Sequence, residues 1–448
     1  VGVRRIKKRS ELNSRDYIKR RKKLAKAIGK GSVAILPAAQ TSQRSRDTKY
    51  KYRPDSDFFY YTGFSEPESL MILASGRSEG EFILLVEKRD PLAETWEGRR
   101  PGPKGAIKDY GADQSFSIDH CDAVLGKILK TTEKIFFTLG NDTSYDQKIT
   151  NILNSLRVGQ RQGLSAPSSI VSLESITHEL RSIKSAEEIK LMRKAAKIGV
   201  EAHFRVMKEC QENLYEYQLE SEILHQFGQY GTTASYDSIV ASGSNACTLH
   251  YTDNRSKLKN GELLLTDAGC EFEMYASDIT RTIPISGVFT EEQKAIYSIV
   301  LQTQKKAIES VKPGQTFKNL QNDAIKSITK GLQKLGILSG NIDKLIANEA
   351  YKPFYMHGIG HWLGMDVHDV GSYGNPRKGS VRKFEPGMVL TIEPGIYISS
   401  NNRQVEKKWR GIGIRIEDDI LVKKNGNENL TNKLPKEIDD IESIMANH

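Results

Sequence analysis

The segment between His357 and Asp369 combines residue types that bind metals or carry protons. It reads His-Gly-Ile-Gly-His-Trp-Leu-Gly-Met-Asp-Val-His-Asp and contains three of the nine histidines in the chain. These imidazoles lie among glycines and apolar residues, whereas a histidine in a solvated loop needs neither. Such a setting is typical of metal ligands and of groups that transfer protons near neutral pH. The segment therefore predicts a reactive site, although the histidines alone leave open which metal and which chemistry.

Four acidic residues lie in or beside apolar strands elsewhere in the second half of the chain. Asp267 ends the run Leu-Leu-Leu-Thr-Asp, and Asp278 begins the next predicted strand after a turn that contains glycine. A hairpin of this length brings the two carboxylates near each other. Glu393 and Glu417 follow two further apolar strands, and alternation along the last strand puts Arg415 on the same face as Glu417. Four acids in such positions need a common explanation.

A pair of divalent metal ions would allow these acids to share one site. Two carboxylates about 4 Å apart repel by roughly 4 kcal/mol at an effective dielectric constant of about 20, so cations are needed between them. One imidazole with four carboxylates suits Mn²⁺ best, while Zn²⁺, Co²⁺ and Fe²⁺ also fit. The chain contains no Cys-x-x-Cys pair and no His-Glu-x-x-His helix, so the common zinc signatures are absent. A bound metal lowers the pKa of water from about 15.7 to about 7, which makes a nucleophile at neutral pH.

Two predicted domains would position these residues. Residues 1–165 alternate short apolar strands with helices, which indicates a small α/β domain, with strands at 32–36, 70–74, 81–86 and 134–139. A turn-rich stretch from Gly163 is predicted to link it to a second domain, residues 175–445. There, a helix begins at the capping box Ser185-x-x-Glu188. Further helices are predicted at 216–230, from 290 to 313, and onward to about 335. These helices flank apolar antiparallel strands, so the second domain is expected to be α+β.

Five residues, in order along the chain, resemble the metal ligands of the pita-bread metallopeptidases. This family contains methionine aminopeptidase, prolidase and Xaa-Pro aminopeptidase, and the segment from His357 matches its proline-peptidase signature. The resemblance implies a pita-bread fold for the second domain and two bound metal ions. Asp267 would chelate one ion, whereas His361 and Glu393 would bind the other. Asp278 and Glu417 would bridge the two ions. None of the five is substituted.

The same resemblance implies catalytic roles around the metals. Glu393 would take the proton from the attacking water. His250 and His368 would form hydrogen bonds with the substrate, help to stabilise the oxyanion and move protons.

Three further residues would hold the substrate or the ligands in place. By the resemblance, His357 would line the pocket for the second substrate residue, and Arg415 would orient the carboxylate of Glu417. Tyr236 would lie near the substrate, behind the ligands. His203, in contrast, follows helical spacing and is expected to pack inside a helix face.

The amino-terminal domain also resembles a known type. Residues 52–64 and 94–100 are similar to the N-terminal domain of bacterial-type Xaa-Pro aminopeptidases, the creatinase/aminopeptidase P type, which methionine aminopeptidases lack. The resemblance thus implies an aminopeptidase that removes one N-terminal residue from peptides or proteins. Its requirement for proline at the second position is either strict or, as in the mitochondrial intermediate-cleaving peptidase, relaxed.

Three other functions share parts of this pattern. A prolidase, which cleaves Xaa-Pro dipeptides, uses the same ligands and is distinguished by its failure on longer substrates. A non-catalytic binding protein on the pita-bread fold would be expected to have lost ligands. A creatinase-like hydrolase works without metals. The complete ligand set disfavours the last two.

The net charge of +10 is concentrated at the start of the chain. Residues 1–30 hold 13 Lys and Arg against 2 acids, a net charge of +11, which leaves −1 for the rest. One interpretation is a solvated first helix over residues 15–28. The other is a segment adjoining a mitochondrial presequence, because such leaders are rich in Arg and poor in acids and the chain starts at Val1. We expect a mitochondrial location, in the matrix or at the inner membrane, closest to the eukaryotic mitochondrial branch, with the cytoplasm as the alternative.

Composition also limits the partners. The near-neutral body of the chain argues against a nucleic-acid surface, and no run of 18 apolar residues predicts a membrane span. Peptide or protein N-termini are the expected partners. A homodimer is expected by the resemblance, and Trp96 is predicted either to reach a neighbour's active site or to pack in a core.

Overall fold

The structure is a computed structural model that describes Leu12 and residues 14–446. Much of the basic start of the chain, residues 1–11 and 13, lies outside the described residues, so the charge-based prediction falls only partly within them. The chain divides into two units between Leu180 and Arg181. Each unit has an apolar core of its own.

A six-stranded mixed sheet forms the centre of the amino-terminal unit. Its order is β4-β3-β2-β1-β5-β6, and β1 pairs antiparallel with β2 but parallel with β5. Every residue of β2 and β3 is buried, as expected for strands covered on both faces. The four strands predicted here are confirmed. The strands are β1 (Ser32–Pro37), β2 (Leu70–Ala74), β3 (Phe82–Val86), β4 (Gln114–Ser117), β5 (Lys134–Phe136) and β6 (Ser169–Val171).

Seven α-helices accompany this sheet within the part of the chain that the structure describes. The helices are α1 (Ser14–Ile28), α2 (Ser56–Thr62), α3 (Pro91–Glu97), α4 (Gly102–Tyr110), α5 (Cys121–Leu129), α6 (Thr143–Val158) and α7 (Glu174–Ser182). The first helix is not simply solvated, because Arg20 and Arg21 are buried and donate to the carbonyls of Tyr60 and Tyr61 at 3.0 and 2.8 Å. These bonds satisfy carbonyls in the last turn of α2.

Two expectations for this unit differ from the structure. The stretch at Gly163 does not link the units, because β6 follows it and extends the sheet by pairing with β5. Turn-rich composition marks a loop, but it does not show whether the next element belongs to the same sheet. Trp96 is 90% exposed on α3, so it does not pack in a core.

The second unit contains six helices and five small sheets within the described residues. The capping boxes predicted at Ser185 and Thr290 are both formed, and α8 and α10 begin directly after them. The helices are α8 (Ala186–Glu209), α9 (Glu216–Gln229), α10 (Glu291–Ser310), α11 (Phe317–Lys334), α12 (Ile342–Ala347) and α13 (Ile438–Ala446). None of the helices in the described part of the chain is long and apolar enough to cross a bilayer.

The strands of this unit pair antiparallel throughout, in the orders β8-β9-β12, β15-β18-β19, β16-β17, β7-β10-β11 and β13-β14. The strands are β7 (Thr233–Ala234), β8 (Ile239–Ser242), β9 (Leu263–Asp267), β10 (Cys270–Phe272), β11 (Tyr275–Ala276), β12 (Thr280–Pro284), β13 (Gly374–Asn375), β14 (Ser380–Val381), β15 (Val389–Ile392), β16 (Gly395–Ile398), β17 (Ile412–Arg415), β18 (Asp418–Val422) and β19 (Asn427–Asn429). The Glu417 N–H donates to the Thr280 carbonyl at 3.1 Å, which places the end of β17 beside β12.

Candidate metal centre

The backbone brings the four predicted carboxylates to neighbouring strand ends. Asp267 is the last residue of β9 and pairs with Thr280, two residues after Asp278. The connection between these acids is more than the predicted turn, since β10 and β11 form a small hairpin of their own inside it. Glu393 follows β15, and Glu417 follows β17. The four carboxylates therefore converge from strand ends, whereas the imidazole of His361 comes from a loop.

The histidine-rich segment is held against β15 by its glycines. The Thr391 N–H donates to the His361 carbonyl at 2.9 Å, and the Glu393 N–H donates to the Ile359 carbonyl at 2.8 Å. A Cβ at Gly360 would lie 1.9 Å from the Thr391 carbonyl oxygen, so this approach requires glycine. The result is that His361 and Glu393 lie side by side.

Three of the predicted ligands offer converging atoms. Asp278, His361 and Glu417 each present a ligand atom within 4.8 Å of the other two. His361 Nδ1 lies 3.0 Å from the Trp362 carbonyl, to which only an N–H can donate, so Nε2 is the nitrogen that faces the carboxylates. That Nε2 is 3.3 Å from Asp278 Oδ2 and 3.6 Å from Glu393 Oε1. A metal ion would replace the proton that Nε2 carries in the metal-free protein.

Two acids of this cluster, Glu393 and Glu417, lack sufficient compensating positive charge. Burial and the neighbouring Asp278 raise the pKa of Glu417 well above its usual range, and burial raises that of Glu393 to about 7. Burial also raises the pKa of Asp267, although Arg415 opposes it. Burial lowers the pKa of His361, but the hydrogen bond and charge of Asp278 together with the charge of Glu393 outweigh this and raise it to about 9. Each of these raised pKa values means that the cluster holds protons more tightly than isolated side chains do, because it has a deficit of positive charge. The donor set thus fits divalent cations.

Arg415 reaches a different ligand from the one expected. Its Nη2 donates to Asp267 Oδ2 at 2.5 Å, and its Nε donates to Thr280 Oγ1 at 3.2 Å. Thr280 Oγ1 in turn donates to Glu417 Oε2 at 2.7 Å, so hydrogen bonds link Arg415 to Glu417 through this threonine. Because Thr280, on the adjacent β12, lies between the two side chains, the predicted orientation of Glu417 by Arg415 would pass through its hydroxyl. The guanidinium is buried and engaged on three sides, which is a supporting position rather than a substrate contact.

Two tyrosine hydroxyls connect the ligands to the residues around them. Tyr236 Oη lies 2.6 Å from Asp267 Oδ1 and 2.5 Å from Asp278 Oδ1, so its single O–H is shared between two carboxylates. Tyr397 Oη accepts from Arg415 Nη1 at 2.9 Å and lies 2.8 Å from His357 Nε2. Both tyrosines therefore support the cluster from behind.

His357 has both ring nitrogens occupied. Nδ1 lies 2.8 Å from the Gly358 carbonyl, which fixes it as the donor, and Nε2 accepts from Tyr397. Burial and Arg415 lower the pKa of His357 to about 4, so the ring is neutral. What this histidine can present to a ligand is the face of a fixed, neutral ring.

One cavity of about 590 Å³ collects all ten predicted site residues. His368 lies at its edge with its ring centroid 4.3 Å from that of His361, and His250 is an exposed residue of the same wall. Partial burial and the neighbouring His361 lower the pKa of His368. The remaining wall is mostly apolar. Besides the predicted residues, the cavity is lined by Asp237, Ile239, Leu249, Thr252, Gly358, Gly360, Val367 and Tyr373.

Sequence reasoning missed Thr280 and Tyr397, although alternation could have located both. Thr280 lies two residues after Asp278, and Tyr397 lies four after Glu393, so each shares strand parity with a ligand. The wall residues Leu249 and Tyr373 come from loops, for which the sequence carries no comparable signal.

Comparison with known proteins agrees with this geometry. Residues 190–424 match the metallopeptidase family M24, and residues 17–136 match the aminopeptidase P N-terminal domain. The chain is 42% identical to the Xaa-Pro aminopeptidase of Escherichia coli K12, over 98% of this chain and 99% of that protein. The chain belongs to the metallopeptidase family M24. The predicted two-part fold and the prediction of a metallo-aminopeptidase are confirmed.

Two further relatives refine the placement of this M24 metallopeptidase. The structure of aminopeptidase PepP from Pseudomonas aeruginosa superposes with a TM-score of 0.95 at 47% identity, covering 97% of this chain and 98% of that one. The mitochondrial intermediate cleaving peptidase 55 of Arabidopsis thaliana is 35% identical over 97% of this chain and 83% of its own length. Because the bacterial proteins are more similar, the expected closeness to the mitochondrial branch is not supported.

The metal-free protein is expected to lose thermal stability as the pH rises from about 6.5 to about 9. Glu393 ionises at 4.5 in the unfolded chain but at about 7 in the fold, so between these values the unfolded state releases its proton first and is favoured. Glu417 acts in the same direction. His361 adds stability that is complete below 6.5 and is lost as the pH rises through about 9. Asp278, whose pKa is lowered, acts oppositely as the pH falls below 3.8. His203, His357 and His368, whose pKa values are lowered by burial, act oppositely below 6.5, so the expected fall begins above that pH.

The midpoint of thermal unfolding of chelator-treated protein, measured between pH 6.5 and 9, checks this expectation. Protein loaded with Mn²⁺ should show a much smaller fall, since cations replace the missing positive charge. A midpoint of the metal-free protein that rose across this range would contradict the proposed electrostatics.

Proposed function

We propose that this M24 metallopeptidase removes a single N-terminal residue from peptides whose second residue is proline. The observation that carries the proposal is the single cavity in which all ten predicted residues meet, on a chain similar to an Xaa-Pro aminopeptidase over nearly its whole length. Peptides of three or more residues are the expected substrates. The alternative is a processing peptidase, which would not strictly require proline as the second residue.

Five residues would hold two divalent metal ions, and we propose Mn²⁺ as the native metal because the set is dominated by carboxylates. The five are Asp267, Asp278, His361, Glu393 and Glu417. The ions would supply an activated water and a Lewis acid for the scissile carbonyl.

The protein's own groups would move the protons. Glu393, which lies 3.6 Å from His361 Nε2 beside the other carboxylates, would accept the proton of the attacking water and return it to the leaving amine. His368, at the open edge beside His361, would donate a hydrogen bond to the oxygen of the scissile carbonyl as it gains negative charge. His250, which lines the same cavity, would hold the substrate. Arg415 and Tyr236 would keep Asp267 in place.

The fixed ring of His357 is our candidate for recognition of proline. Because both of its nitrogens are bonded within the protein, its neutral ring face is available for apolar contact with a pyrrolidine ring. Apolar packing of this kind discriminates by shape, so proline would be preferred rather than absolutely required.

Two further proposals concern assembly and location. We propose a homodimer, in which the exposed Trp96 of one subunit would contact the partner subunit. The resemblance to the family suggests both the dimer and this contact. The mitochondrial location, in the matrix or at the inner membrane, rests on the basic start of the chain alone, with the cytoplasm as the alternative. Fractionation of cells that express the full-length gene tests the location.

Cleavage of a peptide library varied at its first two positions, with Mn²⁺ supplied, tests the proposed activity. Release of one residue from Xaa-Pro peptides of three or more residues is the expected result. Cleavage confined to Xaa-Pro dipeptides would show a prolidase instead, and no cleavage with two ions bound would show a binding protein.

Replacement of His368 by alanine is expected to reduce kcat by about 10²–10³-fold, because it removes one donor to a developing oxyanion. Two metal ions should remain bound, since the ligand assignment does not include this histidine. Steady-state kinetics together with metal analysis of the purified variant provides the check. Loss of one ion from the variant would make His368 a ligand and refute its assignment as a proton carrier.

A further inference from the structure

His203 lies in the core beside the metal centre, and its imidazole is not simply packed there. It is on α8, only 2% exposed, and its Nε2 lies 3.1 Å from the carbonyl oxygen of Ala268. Burial lowers its pKa to about 4, so the ring is neutral and has one N–H. Because the partner is a carbonyl, Nε2 carries that hydrogen and donates it.

The carbonyl of Ala268 lies where the segments that carry the predicted ligands Asp267 and Asp278 are hydrogen-bonded to each other. Ala268 directly follows Asp267, and its N–H donates to the carbonyl of Ile279 at 3.0 Å. Ile279 directly follows Asp278, so this backbone hydrogen bond joins the two residues that come after the metal-binding carboxylates. The imidazole therefore bonds to the backbone at the point where the two ligand-bearing segments are joined.

The helix that carries His203 is tightly fitted to the same strands. A Cβ on Gly199, one turn earlier, would lie 2.9 Å from Ile279 Cδ1 and 3.1 Å from Ser277 Oγ. One turn before that, the carbonyl of Ala195 accepts a hydrogen bond from Cys270 Sγ at 3.3 Å. Residues 195, 199 and 203 share one helix face. Movement of the strands relative to α8 is restricted on either side of the two carboxylates.

We propose that His203 is a positioning residue that fixes the separation of Asp267 and Asp278 and thereby the spacing of the two metal ions. This rests on the proposed metal ligands. The two carboxylates share the hydroxyl of Tyr236 at 2.6 and 2.5 Å, so a shift of either strand end would break a short contact at the centre. Groups behind metal ligands typically change metal affinity or activity by about 10–100-fold when removed.

Three substitutions at His203 separate positioning from packing. His203→Leu keeps an apolar body of similar size but removes the N–H. His203→Gln places an amide N–H near the original Nε2, whereas His203→Asn places it too close to the backbone to reach Ala268. Met207→Leu is the matched control, since Met207 is one turn further on α8, equally buried, and lines the same small void.

Calorimetric titration of each metal-free variant with Mn²⁺ is the central measurement. Electron paramagnetic resonance of the loaded protein reports the magnetic coupling between the two ions. We expect His203→Leu and His203→Asn to weaken Mn²⁺ binding by about 10-fold or more and to alter the coupling. His203→Gln should largely restore the Mn²⁺ affinity and the magnetic coupling, and Met207→Leu should change neither of them. If His203→Leu does not fold, the comparison of Gln with Asn decides.

The inference would be overturned if His203→Leu or His203→Asn had a lowered unfolding midpoint but kept the Mn²⁺ affinity and magnetic coupling of the unmodified protein. That result would leave the proposed function intact. Failure of the proposed function is distinguishable, because the unmodified protein would then bind no pair of Mn²⁺ ions. That result would also overturn the inference.

Discussion

Metal-free protein is expected to cleave Xaa-Pro peptides more than about 10³-fold more slowly than the same protein with Mn²⁺ restored. The reason lies in the composition of the cavity. Asp267, Asp278, Glu393 and Glu417 bring four carboxylates to one point, and the raised pKa values of Glu393 and Glu417 show that the protein alone does not neutralise them. Removal of a single oxyanion donor already costs about 10²–10³ in kcat, and loss of both metals removes more than one such contribution.

Dialysis against a chelator, followed by titration with Mn²⁺, Co²⁺ or Zn²⁺, measures this effect. Chelator that has first been saturated with metal is the control for any direct effect on the protein. Metal analysis must accompany each assay, because trace metal can sustain turnover. Full turnover by protein shown to contain no metal would refute the proposed ligand set.

The strands that carry the ligands could be predicted from the sequence because they are short, apolar and bounded by recognisable residues. Asp267 ends a run of three leucines and a threonine, and Glu417 ends an alternating strand. The helix starts at Ser185 and Thr290 could be predicted for a similar reason, since a capping box is a local pattern. Predictions from local patterns of this kind hold in the folded protein because they do not depend on which other segments pack against them.

Contacts between strands distant in the chain could not be predicted in the same way. Arg415 shares a face with Glu417, but that parity does not reveal that Thr280 lies between them and that Asp267 accepts the guanidinium. The partner is set by the register of β12 against β9 and β17. His203 is a similar case: helical spacing correctly predicts its burial but not the carbonyl that it meets.

The carboxylates of the cavity differ in how far neighbouring side chains compensate their negative charge. Asp267 and Asp278 are each bonded to neighbouring side chains, Arg415 and Tyr236 for the first, His361 and Tyr236 for the second. Glu393 is less compensated, since burial raises its pKa to about 7, whereas the contacts of Asp278 outweigh burial and lower its pKa. Replacing each acid by its amide should therefore have opposite effects on the metal-free fold.

Glu393→Gln and Asp278→Asn are both expected to lower kcat by more than about 10³-fold, because each removes a ligand and the first also removes the proton acceptor. In metal-free protein at pH 8, Glu393→Gln should raise the midpoint of thermal unfolding, because it removes a buried charge that the fold disfavours. Asp278→Asn should lower that midpoint, because it removes the charged partner of His361, whose pKa of about 9 leaves it protonated. Both variants should gain less stability from Mn²⁺ than the unmodified protein does.

Glu385→Gln is the control for these two variants. Glu385 is exposed near the start of β15 and pairs with Arg382 at 2.9 Å, and a surface pair of this kind contributes about 0–1 kcal/mol. Its activity, metal content and unfolding midpoint should stay close to those of the unmodified protein. Near-normal kcat in either ligand variant would refute the ligand assignment. Equal shifts of the metal-free midpoint in both variants would refute the charge distribution, because only an unequal compensation of Glu393 and Asp278 predicts opposite signs.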